Sequence, residues 1–333
     1  MPDTIGVALV GLDHWYSAFM VLEEVAAEES MRLVAIAEED AERLEQARSK
    51  HHPEAAVTDW RQAVEDPRVD LVFSFVDTAS NPAVCLEALG RGKHVLCVKP
   101  CALTLEDANR LAAAAQDSGV IFSSFEVSHR TTAKSRFLKQ LIADGSIGQP
   151  VTFYHVAHGG LPRPWPDATG HSWWLDPSRV PGGAWIDHAI YAVDQARWIL
   201  DQEVVSVSAA MATRRHTHLA LEDWGVAWLT LSGGAAAVLE DTWTADSGTR
   251  FDRWIGTGGS IEPAGDAFLV HAGGRTERIP IEEEGPSTMA QIAAAAAGRV
   301  RLPFTPTCCV HNLAACLAAY ESARTGRHAS PSG

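Results

Sequence analysis

The chain has 333 residues, of which 46% are hydrophobic and 21% charged, proportions typical of a globular protein of about two domains. Its 27 basic and 42 acidic side chains give a net charge of -15, which argues against a nucleic-acid partner because phosphate binding needs clustered lysine and arginine. No segment approaches the roughly 20 apolar residues that span a bilayer, and no leader pattern is present. The sequence therefore predicts a cytoplasmic protein without a membrane partner, whose six cysteines are reduced thiols.

The first third of the chain alternates short apolar, β-branched runs with segments of helical spacing. The runs lie at 5–11, 33–38, 71–76, 94–98 and 120–125 and are typical of buried parallel strands. Repeated strand–helix–strand units predict a doubly wound parallel sheet, with ligands at the carboxyl ends of its strands. We expect this Rossmann-like dinucleotide-binding domain to occupy residues 1–125.

The pattern changes after about residue 126. A long segment rich in proline, glycine and tryptophan precedes a helix at 184–200, and strand-like runs then follow one another without intervening helices. Consecutive strands of this kind indicate an antiparallel sheet. We expect a second α/β domain at 126–333, with C-terminal helices in 287–326 that end at Gly298 and Gly326.

Four stretches together resemble the Gfo/Idh/MocA family of oxidoreductases. They are GRGKHVLCVKPCALT, SHRTTAKSRFLKQLIADGSIGQP, WWLDPSRVPGGAWIDHAIYAVDQARWIL and AAYESARTGR. The resemblance implies a Rossmann domain followed by an α/β domain with a large open antiparallel sheet, often used for oligomerisation. It also implies NAD(P)-dependent oxidation of a sugar, polyol or cyclitol hydroxyl, and we accordingly expect a small sugar-like substrate and a homo-oligomer formed through the C-terminal sheet.

The resemblance assigns the proton-transfer residues. Lys99 matches the family's lysine, Asp187 matches its active-site aspartate, and Tyr191 stands where its usual catalytic histidine would be. A phenol titrates near pH 10, so Tyr191 is a poor base at neutral pH unless a nearby cation such as Lys99 lowers its pKa. His188, three residues before Tyr191, is a second candidate for proton exchange. Helical spacing alone also allows Asp187 to be a solvated or capping residue and Tyr191 a core aromatic.

The glycine-rich turn of a dinucleotide-binding protein is only partly present. In the pattern G-x-G-x-x-G, Gly11 keeps the first position, whereas Asp13 and Tyr16 stand at the second and third. Asp13 would put a carboxylate where the diphosphate of the nucleotide lies. As a helix N-cap it would also occupy the backbone amides that otherwise donate to a phosphate. The stretch therefore supports the fold but leaves NAD(P) binding open.

Other candidate cofactor residues follow the strands. Glu38 is a carboxylate suited to a ribose hydroxyl, which favours NAD over NADP, although it also begins a surface-like acidic run. Asp77 and Asn81 stand where the family ordinarily has proline and histidine, and Val98 replaces the glutamate of its signature. The candidate cofactor-binding residues are Gly11, Asp13, His14, Glu38, Asp77, Asn81 and Lys99.

The segment around the predicted cleft supplies candidate substrate-binding residues. These are His129, Arg130, His158, His171 and Trp173, each with a structural alternative as a solvated or core side chain. His158, His171 and His188 with Asp187 could form a two-histidine, one-carboxylate set, but we assign no metal. Because the departures cluster at cofactor and proton-transfer positions, two alternatives remain. One is a non-redox lyase, isomerase or hydrolase with degenerate cofactor binding, and the other is a non-catalytic partner subunit.

Overall fold

The computed structural model describes residues 4–166, 172–281 and 285–331. Its first sheet has six parallel strands in the spatial order β3-β2-β1-β4-β5-β6. The strands are β1 (Ile5–Val10), β2 (Met31–Ala37), β3 (Ala55–Val57), β4 (Leu71–Ser74), β5 (His94–Cys97) and β6 (Phe122–Ser124). The helices of this part are α1 (Trp15–Ala27), α2 (Ala41–His51), α3 (Trp60–Glu65), α4 (Asn81–Gly90) and α5 (Leu105–Ser118). The predicted doubly wound sheet is confirmed.

Burial explains why the apolar runs form this sheet. All six residues of β1 are buried, as expected for a parallel strand that is covered on both faces. The strand order reverses between β1 and β4, which opens a crevice at the carboxyl ends of these two strands. The three-residue β3, with the sequence AAV, was not predicted because it is too short to show a period.

The described residues after β6 supply the remaining elements. After a 3-10 turn (Phe125–Thr131), these are α6 (Ala133–Ala143), β7 (Pro150–His158), a 3-10 turn (Trp173–Leu175), α7 (Ala184–Leu200), β8 (Val204–Ala212), β9 (Trp224–Leu231), β10 (Ala236–Thr242), β11 (Thr249–Gly256), β12 (Gly259–Ala264), β13 (Ala267–Ala272), β14 (Arg275–Pro280), α8 (Thr288–Ala296) and α9 (Thr307–Thr325). Of these, α8 packs into the core of the first sheet through Met289 and Ile292. Eight strands form a sheet in the order β14-β13-β12-β11-β7-β10-β9-β8. Its pairs are antiparallel except for the parallel pair of β7 and β10, so the predicted large, mostly antiparallel sheet is also confirmed.

Helix α7 positions the residues that matter most for function. It packs between the second sheet and α9, and most of its side chains are buried. Its start is held by Glu222, whose carboxylate accepts the Gly183 amide at 3.0 Å and whose carbonyl accepts the Ala184 amide at 3.0 Å. A Cβ at position 183 would lie 2.2 Å from that carbonyl oxygen, so glycine is required here. Of the helices within the described ranges, none is both long and apolar enough to cross a membrane.

Candidate active site

Lys99 and Asp187 form a buried ion pair between the two parts of the fold. Lys99 follows β5, and its Nζ lies 2.6 Å from Oδ1 of Asp187, in the first turn of α7. It also donates to the Asp187 carbonyl, while Nε1 of Trp243 donates to Oδ2 of Asp187 at 3.1 Å. Burial acts to raise the pKa of Asp187, but the Lys99 ammonium, assisted by His188, holds it well below its usual range. The Asp187 carboxylate is therefore ionised at neutral pH.

Two aromatic rings enclose the ammonium of Lys99. Its Nζ lies 4.2 Å from the ring centroid of Trp174 and 5.4 Å from that of Tyr191. Burial, followed by the charge of Asp187, raises the pKa of the Tyr191 phenol well above its usual range. Activation of Tyr191 by Lys99 therefore stays a prediction, and it is not favoured, because the ammonium already bonds Asp187 and burial raises rather than lowers the pKa of the phenol.

His188 is a titratable group that faces the carboxylates of Asp187 and Asp241. Its Nδ1 lies 3.3 Å from Oδ2 of Asp241 and 3.8 Å from Oδ2 of Asp187, and its side chain is 44% exposed. The charge of Asp187 raises the pKa of His188 against the effect of burial. His188 therefore holds its proton more tightly than an ordinary imidazole, and its partly exposed ring joins the buried ion pair to an accessible position.

Asp241 lies fully buried behind His188. Apart from its ion pair with His188, neither of its carboxylate oxygens has a hydrogen-bond partner among the described residues, and burial raises its pKa. On the neighbouring strand β7, Nδ1 of His155 lies 2.6 Å from Oδ1 of Asp252. The buried Nε2 of His155 has no hydrogen-bond partner among the described residues. Within the described ranges, no group of three histidine, cysteine or carboxylate side chains could hold a metal ion.

A second cluster lies at the reversal of strand order in the first sheet. Gly11 has φ +82°, and a Cβ there would lie 2.5 Å from the Val76 side chain and 2.7 Å from its backbone nitrogen. A cavity of about 470 Å³ opens beside it and is lined by Gly11, Glu38 and Asp77 among others. The carboxylate of Glu38 accepts the Leu12 amide at 2.7 Å and the Asp40 amide at 3.0 Å. This cavity lies where the adenosine half of a dinucleotide binds in this fold.

Asp13 does not cap α1, contrary to the sequence-based expectation. Its Oδ2 accepts the Asp77 amide at 2.9 Å, and its Oδ1 lies 3.3 Å from Nη2 of Arg179. Residue 14 is the actual cap of α1, and its side chain makes no capping hydrogen bond. Burial raises the pKa of Asp13, although Arg179 opposes this effect. The indole nitrogen of Trp173 donates to the Asp13 carbonyl at 2.8 Å, so Trp173 supports the turn.

A smaller, more apolar cavity lies beside His14, which follows the same turn. It measures about 200 Å³ and is lined by His14, Phe75, Lys99, Phe125 and Tyr191, among others. Burial, assisted by the Lys99 charge, lowers the pKa of His14 to about 3, so this imidazole is neutral. The two cavities match the two halves of a dinucleotide, and the Gly11 turn provides the close approach that its backbone needs. The residues present therefore fit a nicotinamide dinucleotide.

Three predicted contacts are not part of these cavities. Asn81 is fully buried, where it accepts from Ser74 at 2.7 Å and donates to the Cys101 carbonyl at 3.1 Å; it is therefore structural rather than cofactor-binding. His129 and Arg130 both bind the carboxylate of Asp194, at 2.7 and 2.6 Å. Their polar atoms are thereby engaged at the junction with α7.

His158 also lies away from the Lys99 pair. Its Nε2 lies 3.9 Å from Glu240, and Glu240 points to the opposite face of β10 from its neighbour Asp241 because strand side chains alternate. His171 lies outside the described residues. The proposed two-histidine, one-carboxylate set is therefore not assembled by His158.

Sequence reasoning missed three residues of the site. Asp241 and Trp243 lie at the end of β10, where nothing in the sequence connects them with a helix some 50 residues earlier. Arg179 lies in the long segment before α7, and its position beside Asp13 depends on how the two parts of the fold meet. Only the acidic residue at the second glycine position hinted that a cation would be needed there.

Family models match most of the chain. Residues 5–125 match the oxidoreductase family's NAD-binding Rossmann fold, and residues 135–262 match the Gfo/Idh/MocA C-terminal domain. The chain belongs to the Gfo/Idh/MocA family. Its homologues are oxidoreductases, and a dehydrogenase or reductase activity is accordingly supported for this family member.

Curated relatives of this family member act on small carbohydrates and cyclitols. The 1,5-anhydro-D-fructose reductase of Ensifer adhaerens is 28% identical over 288 residues, covering 82% of this chain and 83% of that protein. The myo-inositol 2-dehydrogenase of Thermotoga maritima is 29% identical over 206 residues, covering 62% of this chain and 56% of that protein. The chemistry named for these relatives belongs to the redox rather than the non-redox alternative.

Solved structures share the fold over almost the whole chain. GenD2 from gentamicin A biosynthesis, in complex with NAD, has a TM-score of 0.84 at 20% identity and covers 99% of this chain and 97% of its own. Levoglucosan dehydrogenase in complex with NADH has a TM-score of 0.82 at 21% identity and covers 98% and 99%. At these identities the likeness shows the fold of the Gfo/Idh/MocA proteins.

Proposed function

We propose that the chain is an NAD-dependent oxidoreductase that acts on a hydroxyl-bearing carbon of a sugar, polyol or cyclitol. The observation that carries the proposal is the buried Lys99–Asp187 pair with His188 beside it, next to the smaller of the two cavities. Oxidation of an alcohol needs a group that binds the reacting oxygen and a group that accepts its proton. This cluster offers both.

Each residue has a distinct role in this proposal. The Lys99 ammonium binds and polarises the reacting oxygen, and Asp187 keeps that ammonium charged and fixed. His188 exchanges the proton, because its ring is partly exposed beside Asp187 and its pKa is raised, whereas burial raises the pKa of the Tyr191 phenol well above its usual range. Tyr191 and Trp174 exclude water from the ammonium, which strengthens its electrostatic effect. NAD, when bound, supplies the hydride acceptor.

Glu38 supports NAD rather than NADP as the cofactor. It stands at the end of β2, where a carboxylate binds ribose hydroxyls and repels a 2′-phosphate. The residues that would hold the nucleotide are Gly11, through its open turn, and the lining of the larger cavity, including Glu38 and Asp77. His14 lines the smaller cavity that would receive the nicotinamide.

The open face of the second sheet supports a homo-oligomer. Tyr154 on β7, Trp228 on β9 and Phe251 on β11 are 37%, 49% and 42% exposed. In the sheet register Val238 lies opposite both Tyr154 and Trp228. Phe251 lies opposite Val156, two residues along β7 from Tyr154, so the three rings share one face of the sheet. Exposed apolar side chains grouped in this way are typical of a subunit interface.

The direct test is reduction of NAD by the purified protein in the presence of polyols, cyclitols and aldoses, followed by nicotinamide absorbance. We expect turnover with NAD that exceeds turnover with NADP and is abolished in Lys99→Met. Failure of wild-type protein to bind either nucleotide, measured by calorimetry, would overturn the proposal.

A further inference from the structure

Arg179 connects the two parts of the fold at the nucleotide-binding turn. Its Nη2 lies 2.6 Å from Oδ2 of Asp77 and 3.3 Å from Oδ1 of Asp13, and its Nε also donates to Asp77 at 3.0 Å. Asp13 follows β1 and Asp77 follows β4, the strands between which the sheet order reverses. Arg179 itself precedes α7, in the segment whose Trp174 covers Lys99.

The other guanidinium groups on the larger cavity are placed differently. Arg43 stacks on Trp165, at 5.1 Å from the ring centroid, and Arg61 stacks on Trp60 at 4.4 Å. Arg179 is the one that bonds the carboxylates next to Gly11. Two carboxylates and one guanidinium leave this part of the cavity with one net negative charge when all three groups are ionised.

A dinucleotide that occupies both cavities must bring its diphosphate past Gly11 and Asp13. Phosphate and carboxylate repel each other, whereas a planar guanidinium binds two phosphate oxygens at once. Arg179 is 35% exposed on its side chain and already faces the cavity, so it can exchange partners without unfolding its segment.

We infer that Arg179 is the diphosphate-binding residue of this chain, and that Asp13 and Asp77 hold it at the turn until the nucleotide replaces them as its partners. The inference rests on the proposed function, because it takes the dinucleotide as the ligand. It gives Asp13 a role at the position of the missing glycine. The carboxylate keeps Arg179 beside Gly11 before the nucleotide arrives, at the expense of repulsion once it has bound.

Calorimetry with three ligands tests this inference on the full chain. NADH and ADP-ribose carry the diphosphate, whereas adenosine lacks it. We expect Arg179→Gln to weaken ADP-ribose and NADH binding by roughly 10- to 100-fold and to leave adenosine binding unchanged. Arg179→Lys should recover part of the loss because it keeps the charge without the planar fork. Arg91→Gln, which removes an exposed guanidinium paired with Glu65 and Glu87, should change none of the affinities.

Asp13→Asn should change the affinity for ADP-ribose in the opposite direction. It removes the repulsion, keeps an oxygen that can accept the Asp77 amide, and leaves Arg179 held by its two bonds to Asp77. ADP-ribose should therefore bind several-fold more tightly. The inference is overturned if Arg179→Gln binds ADP-ribose like wild type, if adenosine weakens by the same factor, or if Asp13→Asn binds ADP-ribose more weakly. If Arg179→Gln does not fold, wild-type affinity in Arg179→Lys for all three ligands overturns it instead.

The outcomes separate this inference from the proposed function. ADP-ribose binding that depends on Arg179, without oxidation of any polyol or reduction of NAD, supports the inference and overturns the function. Polyol-dependent NAD reduction that survives Arg179→Gln, with ADP-ribose affinity unchanged, overturns the inference alone. Wild-type protein that binds none of the nucleotides overturns both.

Discussion

The ammonium of Lys99 lies 2.6 Å from the carboxylate of Asp187, and both side chains are almost completely shielded from solvent. Lys99 lies just after β5 of the first sheet, and Asp187 lies in the first turn of α7, which packs on the second sheet. The geometry of the candidate site therefore depends on the contact between the two parts of the fold.

Removing Lys99 should affect stability and activity together. Lys99→Met leaves Asp187 buried without its counter-ion, which costs roughly 3–5 kcal/mol of unfolding free energy, and it should lower turnover by roughly 10²- to 10⁴-fold. Urea unfolding and nicotinamide absorbance measure the two effects. Lys50→Met, which breaks an exposed pair with Glu23, should leave the unfolding free energy nearly unchanged. A Lys99→Met protein with wild-type turnover would contradict the assigned role.

The proton-transfer assignment predicts different results for two neighbours on α7. Tyr191→Phe removes a hydroxyl that stays protonated, so turnover should remain within roughly threefold of wild type, with an unchanged pH profile. His188→Gln should lose roughly 10²- to 10⁴-fold in turnover. Steady-state kinetics across pH distinguish the two variants. Equal losses in both, with Tyr191→Phe also shifting the pH profile, would transfer the proton role to Tyr191.

The buried carboxylate of Asp241 should raise the pKa of its neighbour His188. Asp241→Asn removes a carboxylate 3.3 Å from Nδ1, so the pKa of His188 should fall. Because the folded pKa of His188 is raised above 6.5, its ion pairs stabilise the fold below the unfolded pKa and lose that effect as pH rises through the folded value. Histidine-labelled NMR titration measures the shift. An unchanged His188 titration in Asp241→Asn would show that the two groups do not interact.

His14 should make the protein sensitive to mild acid. Its pKa is about 3 in the folded protein against 6.5 for an ordinary histidine. The neutral imidazole therefore contributes stability above about pH 6.5, and this is lost as pH falls toward 3 because the unfolded chain binds the proton first. His14→Gln should flatten the fall in unfolding free energy between about pH 6.5 and pH 4.5. Parallel urea titrations of both proteins would refute this if their slopes coincide.

The exposed aromatic side chains of Tyr154, Trp228 and Phe251 on the second sheet should control oligomer assembly. Trp228→Lys places a charge on this apolar face, at the most exposed of its three rings, and should shift the protein toward monomer in sedimentation experiments. Val300→Lys, at an apolar residue that is 48% exposed outside the sheet, is the matched control and should leave the assembly unchanged. A wild-type monomer, or a Trp228→Lys oligomer of wild-type size, would contradict an interface on this face.

The sequence determined the fold because the signals involved are local and periodic. Continuous apolar runs predicted β1, β2, β4, β5 and β6 as buried parallel strands, and the absence of helices between later runs predicted the second sheet. Motifs also identified Lys99, Asp187 and Gly11 as candidate site residues. The same reasoning overestimated Asn81, because a motif position does not reveal whether a side chain faces a cavity or the core.

Only the tertiary structure decided how these groups behave chemically. Contacts between elements that are distant in the chain produce the ion pair of Lys99 with Asp187 and that of His188 with Asp241. Such contacts also bury Tyr191 and so raise its pKa. Arg179 meets Asp13 across 166 positions of sequence, and no local pattern encodes such a meeting. Burial and Coulomb interactions act through space, so the sequence determined which groups are present, whereas the packing of the two parts decided their charge and their partners.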